Sequence, residues 1–425
     1  MHDHHSNKPK RSKRIFQLLL LILAGESIFF LPFVLARVFR PTFLAVFEIT
    51  NLELGTLFSA YGVIAMVSYF FGGPLADRFS PGTLLATALT VTGLGGIVMN
   101  FISSYAELSW LYAFWGLTTI LLFWAALLKA TRIIGGEDFQ ARAFGLLEGG
   151  RGLMAALVGT IAVGILAFYL PDHESPSLTE QQYAFRQVVF FFSGWVILVG
   201  ILIAIFFKNS TPSSNPTTKR ITWRELKLVM GKQVIWYQAI IIVCAYVGYK
   251  VTDDFSLLAS DILGFSDVAS AQVGALALWM RMIAAIVAGF LADRIGQSSK
   301  VISWGFGIMM ISGLIIGSGW LPADTPFYYL LMIISSCLGV YAVRGLYFSL
   351  VQEAHIPLAL SGTSIGLISV IGFTPDIFMG PLMGYFLDNY PGVLGHQFVF
   401  LLLAVFSFIG WIATKKFISI KPSTE

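Results

Sequence analysis

Residues 73–78 read GPLADR and residues 289–294 read GFLADR, and each of these hexapeptides ends a long apolar stretch. The aspartates of the two copies are 216 residues apart, which is about half of the 425-residue chain. A basic residue inside an apolar stretch nearly follows the same spacing, since Lys129 and Arg344 are 215 residues apart. Similarity at one fixed offset is the mark of an internal repeat. The sequence therefore predicts two equivalent halves.

The composition predicts that both halves face lipid. Charged residues make up 12% of the chain, hydrophobic residues 56% and aromatic residues 15%, with a mean hydropathy of +0.79. Soluble domains carry about 25% charged residues, so this composition excludes a soluble enzyme, a nucleic-acid-binding protein and a disordered scaffold. The net charge of +4 is too small to indicate a nucleic-acid partner. Cys244 and Cys337 both lie inside apolar runs, so a disulfide framework is excluded as well.

Twelve apolar segments are long enough to cross a bilayer as helices. They fall near residues 15–39, 54–76, 83–103, 108–131, 142–170, 187–207, 233–258, 268–292, 300–320, 327–350, 361–386 and 397–414. The predicted fold class is an all-α integral membrane protein with twelve transmembrane helices in two pseudo-symmetric six-helix bundles. The predicted divisions are a tail at 1–14, bundles at 15–207 and 233–414, a flexible linker at 208–232 and a second tail at 415–425.

The distribution of basic residues predicts the orientation in the membrane. If the N-terminus is cytoplasmic, the inner loops and tails contain 19 Lys and Arg and the outer loops contain 2. This asymmetry predicts cytoplasmic termini in the plasma membrane, which is the inner membrane of a bacterium. The basic N-terminal cluster resembles a secretory signal, but the apolar run continues to about Val38, too far for a signal peptide, and no cleavage site follows.

The two hexapeptides resemble the loop signature that follows helices 2 and 8 of the major facilitator superfamily, and the resemblance covers nearly the whole chain. The match is good through Asp77 and Arg78, after which Ser80–Gly82 replaces the usual basic residues. The second copy, Asp293 and Arg294, is also followed by only part of the basic tail. The resemblance implies the major facilitator fold and a conformational latch formed by these four residues.

Three further stretches resemble a narrower group within that superfamily. They are LLK at 127–129, ARAFGLLEGGRG at 141–152 and VRG at 343–345. They are most similar to bacterial sugar-phosphate and organic-anion permeases, and in particular to a permease type found beside sulfosugar-degradation genes. This resemblance implies an anionic substrate.

Charged residues inside the apolar segments are the candidates for mechanism, because each costs about 2.5–3.5 kcal/mol to insert without a partner. There are eleven: Glu26, Arg37, Lys129, Glu148, Arg151, Lys250, Asp253, Asp254, Arg281, Arg344 and Asp376. Substrate-binding candidates are Lys129, Arg151, Arg281 and Arg344, since guanidinium and ammonium groups bind carboxylate, phosphate or sulfonate. The alternative is that these groups form structural ion pairs or reach the interface, which is favoured for Arg37 near the outer end of helix 1.

The acids supply candidates for proton coupling, namely Glu26, Glu148 and Asp376. Glu26 has no charged neighbour in its helix, whereas Glu148 and Arg151 are three residues apart and can pair. Arg281 has no acid nearby in sequence, so it must face a cavity, which is the favoured interpretation, or an acid of another helix. Asp376, between Pro375 and Pro381, is one candidate for that acid. Tyr61, Trp115, Trp124 and Trp279 are candidates to stack on an organic substrate, although a core or lipid-facing position is the alternative.

Lys250, Asp253 and Asp254 form a further cluster in helix 7, at a spacing that allows a salt bridge or an outer gate. The sequence carries no nucleotide-binding loop, nucleophile elbow or metal-ligand spacing, so we expect no cofactor, no metal and no enzyme activity. The short cluster His2–His5 is interpreted as a terminal tail.

Together these features predict a monomeric secondary transporter that moves a small organic anion by alternating access. The expected partners are the anion, the bilayer and either protons or a counter-anion. Proton coupling would use the acids, while anion exchange needs only the basic residues. The alternatives are an exporter of an amphipathic compound, a membrane receptor that keeps the fold without transport, and an integral-membrane enzyme.

Overall fold

The computed structural model describes residues 11–170, 176–207, 223–322, 325–356 and 358–420. Within these ranges, side chains are described except at 11–13, 136–142, 223–226 and 358–363. Every regular element in the described part of the chain is a helix.

Twelve helices are long and apolar enough to cross a membrane, and this confirms the predicted fold class. We call them span 1 to span 12, and they are Arg14–Val38, Asn51–Arg78, Pro81–Met99, Tyr105–Gly135, Ala143–Tyr169, Leu178–Phe206, Gln233–Asp261, Asp267–Ile295, Ser298–Gly317, Pro326–Glu353, Ser364–Asn389 and Val393–Ile420. Several begin at a side-chain cap that the sequence supplies. Span 2 starts with a capping box in which Thr50 and Glu53 bond each other's backbone N–H, and span 6 starts with another from Ser177 and Glu180.

The spans pack around two apolar cores. One core contains buried side chains from Leu18 to Phe207, together with three residues of span 8. The other contains buried side chains from Val229 to Phe417. We refer to spans 1–6 as the N-half and spans 7–12 as the C-half. Span 8 therefore lies at the contact between the halves.

The connector between the halves differs from the prediction in its second part. A short helix, Trp223–Met230, lies within the segment expected to be a flexible linker. Val229 is fully buried in the core of the C-half, whereas the neighbouring Leu228 is 55% exposed. The Ser/Thr/Pro/Asn stretch Asn209–Thr218 lies outside the described residues. Span 12 also continues to Ile420, six residues beyond the predicted end of the bundle.

Several spans depart from α-helical geometry, and two of them, spans 1 and 4, contain π-helical segments. Span 1 contains a π-helical segment, Phe30–Val34, with Pro32 inside it, and the Val34 N–H donates to the Phe29 carbonyl five residues earlier. Proline has no N–H to donate, which weakens the α-helical pattern at this point. Span 4 contains a second π-helical segment, Leu117–Trp124. Such segments are frequent at functional sites, and both of these are next to the site described below.

The linker side is the side on which the connector joins span 6 to span 7, and the distal side is the opposite one. Spans 2 and 11 pack closely toward the distal side, where glycine makes the approach possible. A Cβ atom on Gly55 would collide with the backbone of Gly380, and one on Gly62 would press against the backbone of Asp376. The distal ends of the two halves are therefore in direct contact.

Candidate functional site

A buried ion-pair cluster joins the halves near the middle of the spans. Glu26 in span 1 is 2% exposed, and its carboxylate accepts hydrogen bonds from two guanidinium groups. Arg281 in span 8 donates to both carboxylate oxygens, at 2.7 and 3.2 Å, and Arg151 in span 5 donates through Nε at 3.2 Å. We call these three residues the central cluster. Glu26 was expected to have no charged neighbour in its own helix, and its partners indeed come from two other spans.

Glu148 extends the central cluster toward water. Arg151 Nη1 donates to the Glu148 carboxylate at 2.8 Å, which confirms the predicted pairing across three residues of one helix. The Glu148 side chain is 61% exposed, whereas that of Arg151 is 9% exposed. Glu148 also lies within electrostatic range of Arg281 and Arg344, although Arg151 is the guanidinium in direct contact with it. Glu148 lies five residues from the linker-side start of span 5, so the exposed end of the cluster is on its linker side.

Arg344 in span 10 is partly buried and differs from the cations of the central cluster. No carboxylate lies within ion-pair distance of its guanidinium in the part of the chain that the structure describes, and its buried Nη1 has no hydrogen-bond partner there. The group instead lies on aromatic rings, with Cζ at 3.6 Å from the Tyr249 centroid and 5.2 Å from the Tyr246 centroid. Cation–π contacts stabilise a buried guanidinium but leave its positive charge uncompensated.

Two aromatic rings flank Arg151. Phe29 and Trp124 both have their ring centroids 5.6 Å from the Arg151 Cζ atom. Phe29 immediately precedes the π-helical segment of span 1, and Trp124 ends that of span 4. The two rings that flank this guanidinium therefore lie at the edges of the two irregular segments.

A second buried cluster lies on the distal side of the first. Arg37 pairs with Asp253 through Nε at 2.5 Å and donates to the Tyr249 hydroxyl at 2.8 Å. Lys250 lies 3.2 Å from Asp253 and 3.5 Å from Asp376. We call Arg37, Lys250, Asp253 and Asp376 the distal cluster. Two cations and two carboxylates balance each other in it, and the Arg37–Asp253 pair connects span 1 to span 7.

The distal cluster bears on two expectations. Arg37 was expected to form a structural ion pair or to reach the interface, and it forms the ion pair: it is 1% exposed and paired with Asp253 across the halves. Asp376 was a candidate partner for Arg281, but it contacts Lys250 and accepts a hydrogen bond from Tyr246 at 2.9 Å. Arg281 pairs with Glu26 instead. Lys250 pairs with Asp253, as the three-residue spacing allowed.

Other contacts reinforce the distal side. Asp254 is buried and binds Nδ1 of His396 at 2.8 Å, which ties span 7 to span 12. Asp388 of span 11 accepts hydrogen bonds from the first N–H groups of span 2, at Asn51 and Leu52, at 3.0 and 2.7 Å. A carboxylate at a helix N-terminus is stabilised by the helix dipole, so this contact also joins the halves.

The remaining predicted residues lie near the linker-side ends of their spans. Lys129, six residues from the end of span 4, donates to the Ala76 carbonyl at 2.6 Å and lies 3.7 Å from Asp77. Its repeat partner Arg344 lies nine residues from the end of span 10 and is therefore deeper. Arg78, Asp293 and Arg294 are exposed at the linker-side ends of spans 2 and 8. The structure therefore does not bring Lys129 into the central cluster.

The four aromatic candidates are dispersed. Tyr61 and Trp115 belong to the N-half core, where Tyr61 bonds Thr119 and the Trp115 N–H donates to a backbone carbonyl. Trp279 donates to Thr160 of span 5 at 3.0 Å. Only Trp124 of the four lies against a charged residue of the central cluster.

Sequence reasoning missed Tyr249, Tyr246 and His396 as partners of buried charges. The number of charges in span 7 gave a partial indication that Arg37 would pair there, because Lys250 alone cannot balance the acidic side chains of that span. The tyrosines offered none, since a Tyr in an apolar helix is usual in any membrane protein. In the described part of the chain no three His, Cys, Asp or Glu side chains are grouped as metal ligands. The cluster His2–His5 lies outside the described residues.

Comparisons with known proteins agree with this architecture. The chain is 27% identical over 362 residues to the inner membrane protein YqcE of Escherichia coli (strain K12), covering 83% of each chain. It is 22% identical over 364 residues to the glycerol-3-phosphate transporter of Bacillus subtilis (strain 168), covering 80% of this chain and 78% of the relative. The fold is similar to that of a bacterial homologue of the human lysosomal transporter Spinster, crystallised in an inward-facing, unoccupied conformation. That similarity has a TM-score of 0.74 at 14% identity and covers 98% of this chain and 100% of the other.

The sequence model of the Major Facilitator Superfamily matches residues 18–374, which include the spans that carry the central cluster, Arg344 and most of the distal cluster. With twelve spans in two halves and buried charges between them, the chain belongs to the Major Facilitator Superfamily of membrane transporters.

Proposed function

We propose that this protein is a secondary transporter that carries a small organic anion through the central cluster by alternating access. The substrate class comprises sugar phosphates, sulfonates and carboxylates, and the sulfosugar type suggested by the sequence belongs to this class.

The observation that carries the proposal is the unpaired charge of Arg344. The central cluster with Glu148 and Arg344 contains three guanidinium groups and two carboxylates, so the site has one positive charge in excess. Leaving a buried charge without a counter-ion is costly. An anionic group bound at Arg344 would remove this cost, and a guanidinium offers it two parallel N–H donors.

Glu148 and the flanking rings also suit an organic anion. The Glu148 carboxylate occupies the water-accessible side of Arg151, where a second anionic group of a substrate can compete with it. Phe29 and Trp124 offer apolar faces to an organic body. The glycerol-3-phosphate transporter among the relatives has a name that states an organic anion, which supports the same class for this chain.

The packing of the halves supports a binding site that opens toward the linker side in this structure. The described ion pairs between the halves lie in the distal and central parts of the spans, and Glu148 connects the central cluster to water on the linker side. The relatives named as inner membrane proteins support a bacterial inner membrane. With the predicted cytoplasmic termini, the linker side is the cytoplasm, and the conformation is inward-facing.

Access to water favours Glu148 over Glu26 as the proton carrier if transport is coupled to protons. Glu26 is enclosed by two guanidinium groups and is shielded from water, whereas Glu148 is exposed. Asp376 is intermediate, with a 15% exposed side chain next to Lys250. Anion exchange is the other mode, in which a second anion takes the place of the first at Arg344.

Binding is tested on purified protein with glycerol 3-phosphate, glucose 6-phosphate, isethionate and gluconate as probes, and neutral glucose as the control. Ligand binding raises the melting temperature by mass action, so at least one anion should stabilise the wild type and fail to stabilise Arg344→Gln. The matched control is Arg78→Gln, an exposed arginine at the end of span 2, which should keep the response. Equal stabilisation of both variants would refute the role of Arg344.

Uptake into proteoliposomes then separates the two modes. An anion that binds should accumulate in response to an imposed pH gradient if protons are coupled, or only against a preloaded anion if exchange operates. The amphipathic-exporter alternative requires all of these cations to be paired, and the receptor alternative requires transport to be absent. The unpaired guanidinium of Arg344 favours neither alternative.

A further inference from the structure

Tyr249 in span 7 contacts two guanidinium groups, that of Arg37 in the distal cluster and that of Arg344. Its hydroxyl accepts a hydrogen bond from Arg37 Nη1 at 2.8 Å, and its ring centroid lies 4.3 Å from the Arg37 Cζ atom. The same ring lies 3.6 Å from the Cζ atom of Arg344. Arg37 belongs to the N-half, and Arg344 belongs to the C-half. One side chain therefore touches both the unpaired cation and the ion pair that closes the distal side.

Arg37 needs Tyr249 as well as Asp253. Its guanidinium is 2% exposed and spans the contact between the halves, with Nε on Asp253 and Nη1 on Tyr249, while Nη2 has no partner among the described residues. The Arg37 carbonyl also accepts a hydrogen bond from Ser256 of span 7 at 2.9 Å. Separation of the distal ends must break these bonds, so the Tyr249 hydroxyl is one of the restraints that keep the distal side closed.

Arg344 in turn holds the Tyr249 ring. Two guanidinium groups share one aromatic ring, and the closer of them is the cation that lacks a counter-ion. An anion that binds Arg344 neutralises this group and offers it hydrogen bonds in another direction. The attraction between Arg344 and the ring then falls, and the ring is free to change its rotamer and release Arg37.

We propose that Tyr249 is a positioning residue that transmits occupancy of Arg344 to the Arg37–Asp253 contact, so that an anion at the site loosens the distal closure. The proposal rests on the proposed function for the identity of the ligand. The link between Arg344, Tyr249 and Arg37 is a property of the empty protein and is measured without a ligand.

The test uses a cysteine reporter at Ala271. This residue is fully buried, lies four residues from the distal start of span 8 and packs in the core of the N-half, so it becomes accessible when the distal ends separate. Purified Ala271→Cys protein is labelled with a water-soluble maleimide. The parent protein, in which Cys244 and Cys337 are buried, supplies the background.

Tyr249→Phe keeps the ring and removes only the hydroxyl. We expect the labelling rate without ligand to rise roughly tenfold, from the loss of one hydrogen bond to a charged group. Tyr341→Phe is the matched control, because its ring is 6.4 Å from that of Tyr249 and its buried hydroxyl has no hydrogen-bond partner among the described residues. It should label at the wild-type rate. A Tyr249→Phe rate equal to that of this control overturns the proposal.

A double-mutant cycle tests the link itself. Arg344→Gln removes the cation from the ring and should also raise labelling, and combining it with Tyr249→Phe should give much less than the product of the two effects. Purely multiplicative effects overturn the link even if each variant labels faster. The same cycle separates coupling from a general loss of stability, which would act independently at the two positions.

A final arm repeats the labelling with glycerol 3-phosphate or isethionate. Either probe should speed labelling of the Ala271→Cys protein and leave the Tyr249→Phe variant unchanged. If the ligand-free cycle shows coupling and neither probe acts, the proposed substrate class fails while the Tyr249 link stands. If a probe acts equally on both proteins, the link is overturned while the proposed function stands.

Discussion

Replacement of Glu26 by Gln should destabilise the protein more than any exposed charge replacement. The carboxylate is 2% exposed and accepts hydrogen bonds from two guanidinium groups, at 2.7, 3.2 and 3.2 Å. Arg151 keeps Glu148 as a partner after the change. Arg281 has no other carboxylate within 4 Å in the described part of the chain, so its charge becomes uncompensated.

The expected loss of stability follows from this difference between Arg151, which keeps a carboxylate partner, and Arg281, which loses its partner. Breaking a buried ion pair by removing one partner costs about 3–5 kcal/mol. The Gln amide oxygen still accepts one hydrogen bond, so we expect the lower end, about 3 kcal/mol. If the cost comes from the uncompensated Arg281, the double variant Glu26→Gln/Arg281→Gln should recover part of the loss.

The assay is thermal unfolding of detergent-purified protein followed with a thiol-reactive dye. Cys244 and Cys337 are buried, so they react only when the helices come apart. Glu48→Gln changes an exposed carboxylate and serves as the control. A Glu26→Gln protein that melts with this control, or a double variant less stable than the single one, would refute the reasoning.

Three further predictions concern transport of an identified anion. Gly55→Val should hinder closure of the distal side and lower the maximal transport rate, because the added side chain would collide with Gly380. Gly73→Val is the control and should leave the maximal rate unchanged, because a Cβ atom there meets no atom within 4 Å. Glu148→Gln should abolish the response of uptake to an imposed pH gradient while preserving exchange, and a retained response would exclude Glu148 as the proton carrier. Lys129→Gln should change the maximal rate and not KM, since Lys129 binds the end of span 2; an effect on KM alone would place it at the substrate.

The fold could be predicted from the sequence because a bilayer requires each crossing to be long and apolar. Twelve apolar runs were sufficient to predict the twelve spans, and the internal offset of 216 residues predicted the two halves. The helix Trp223–Met230 escaped prediction because its burial depends on the core of the C-half, which a polar composition does not reveal.

The candidate site residues could be selected from the sequence, but most of their ion-pair partners could not be predicted. Charge at depth identified Glu26, Arg151 and Arg281, yet sequence spacing reports only partners within one helix. Glu148–Arg151 and Lys250–Asp253 were therefore foreseeable, whereas the bonds from Arg281 to Glu26 and from Arg37 to Asp253 depend on how spans pack. Repeat symmetry was also an incomplete guide, since Lys129 and Arg344 correspond in sequence and differ in depth.

The π-helical segment Leu117–Trp124 has a consequence for insertions and deletions. Each i→i+5 turn accommodates one more residue than an α-helical turn. Deleting one residue from a regular α-helix rotates one flank by about 100° relative to the other. Within Leu117–Trp124 the wider turn has already absorbed one residue, so a deletion that restores regular α-helix would leave the two flanks close to their present register. Trp124 would then stay against Arg151. A one-residue gap here in a relative is therefore compatible with the same lining of the site.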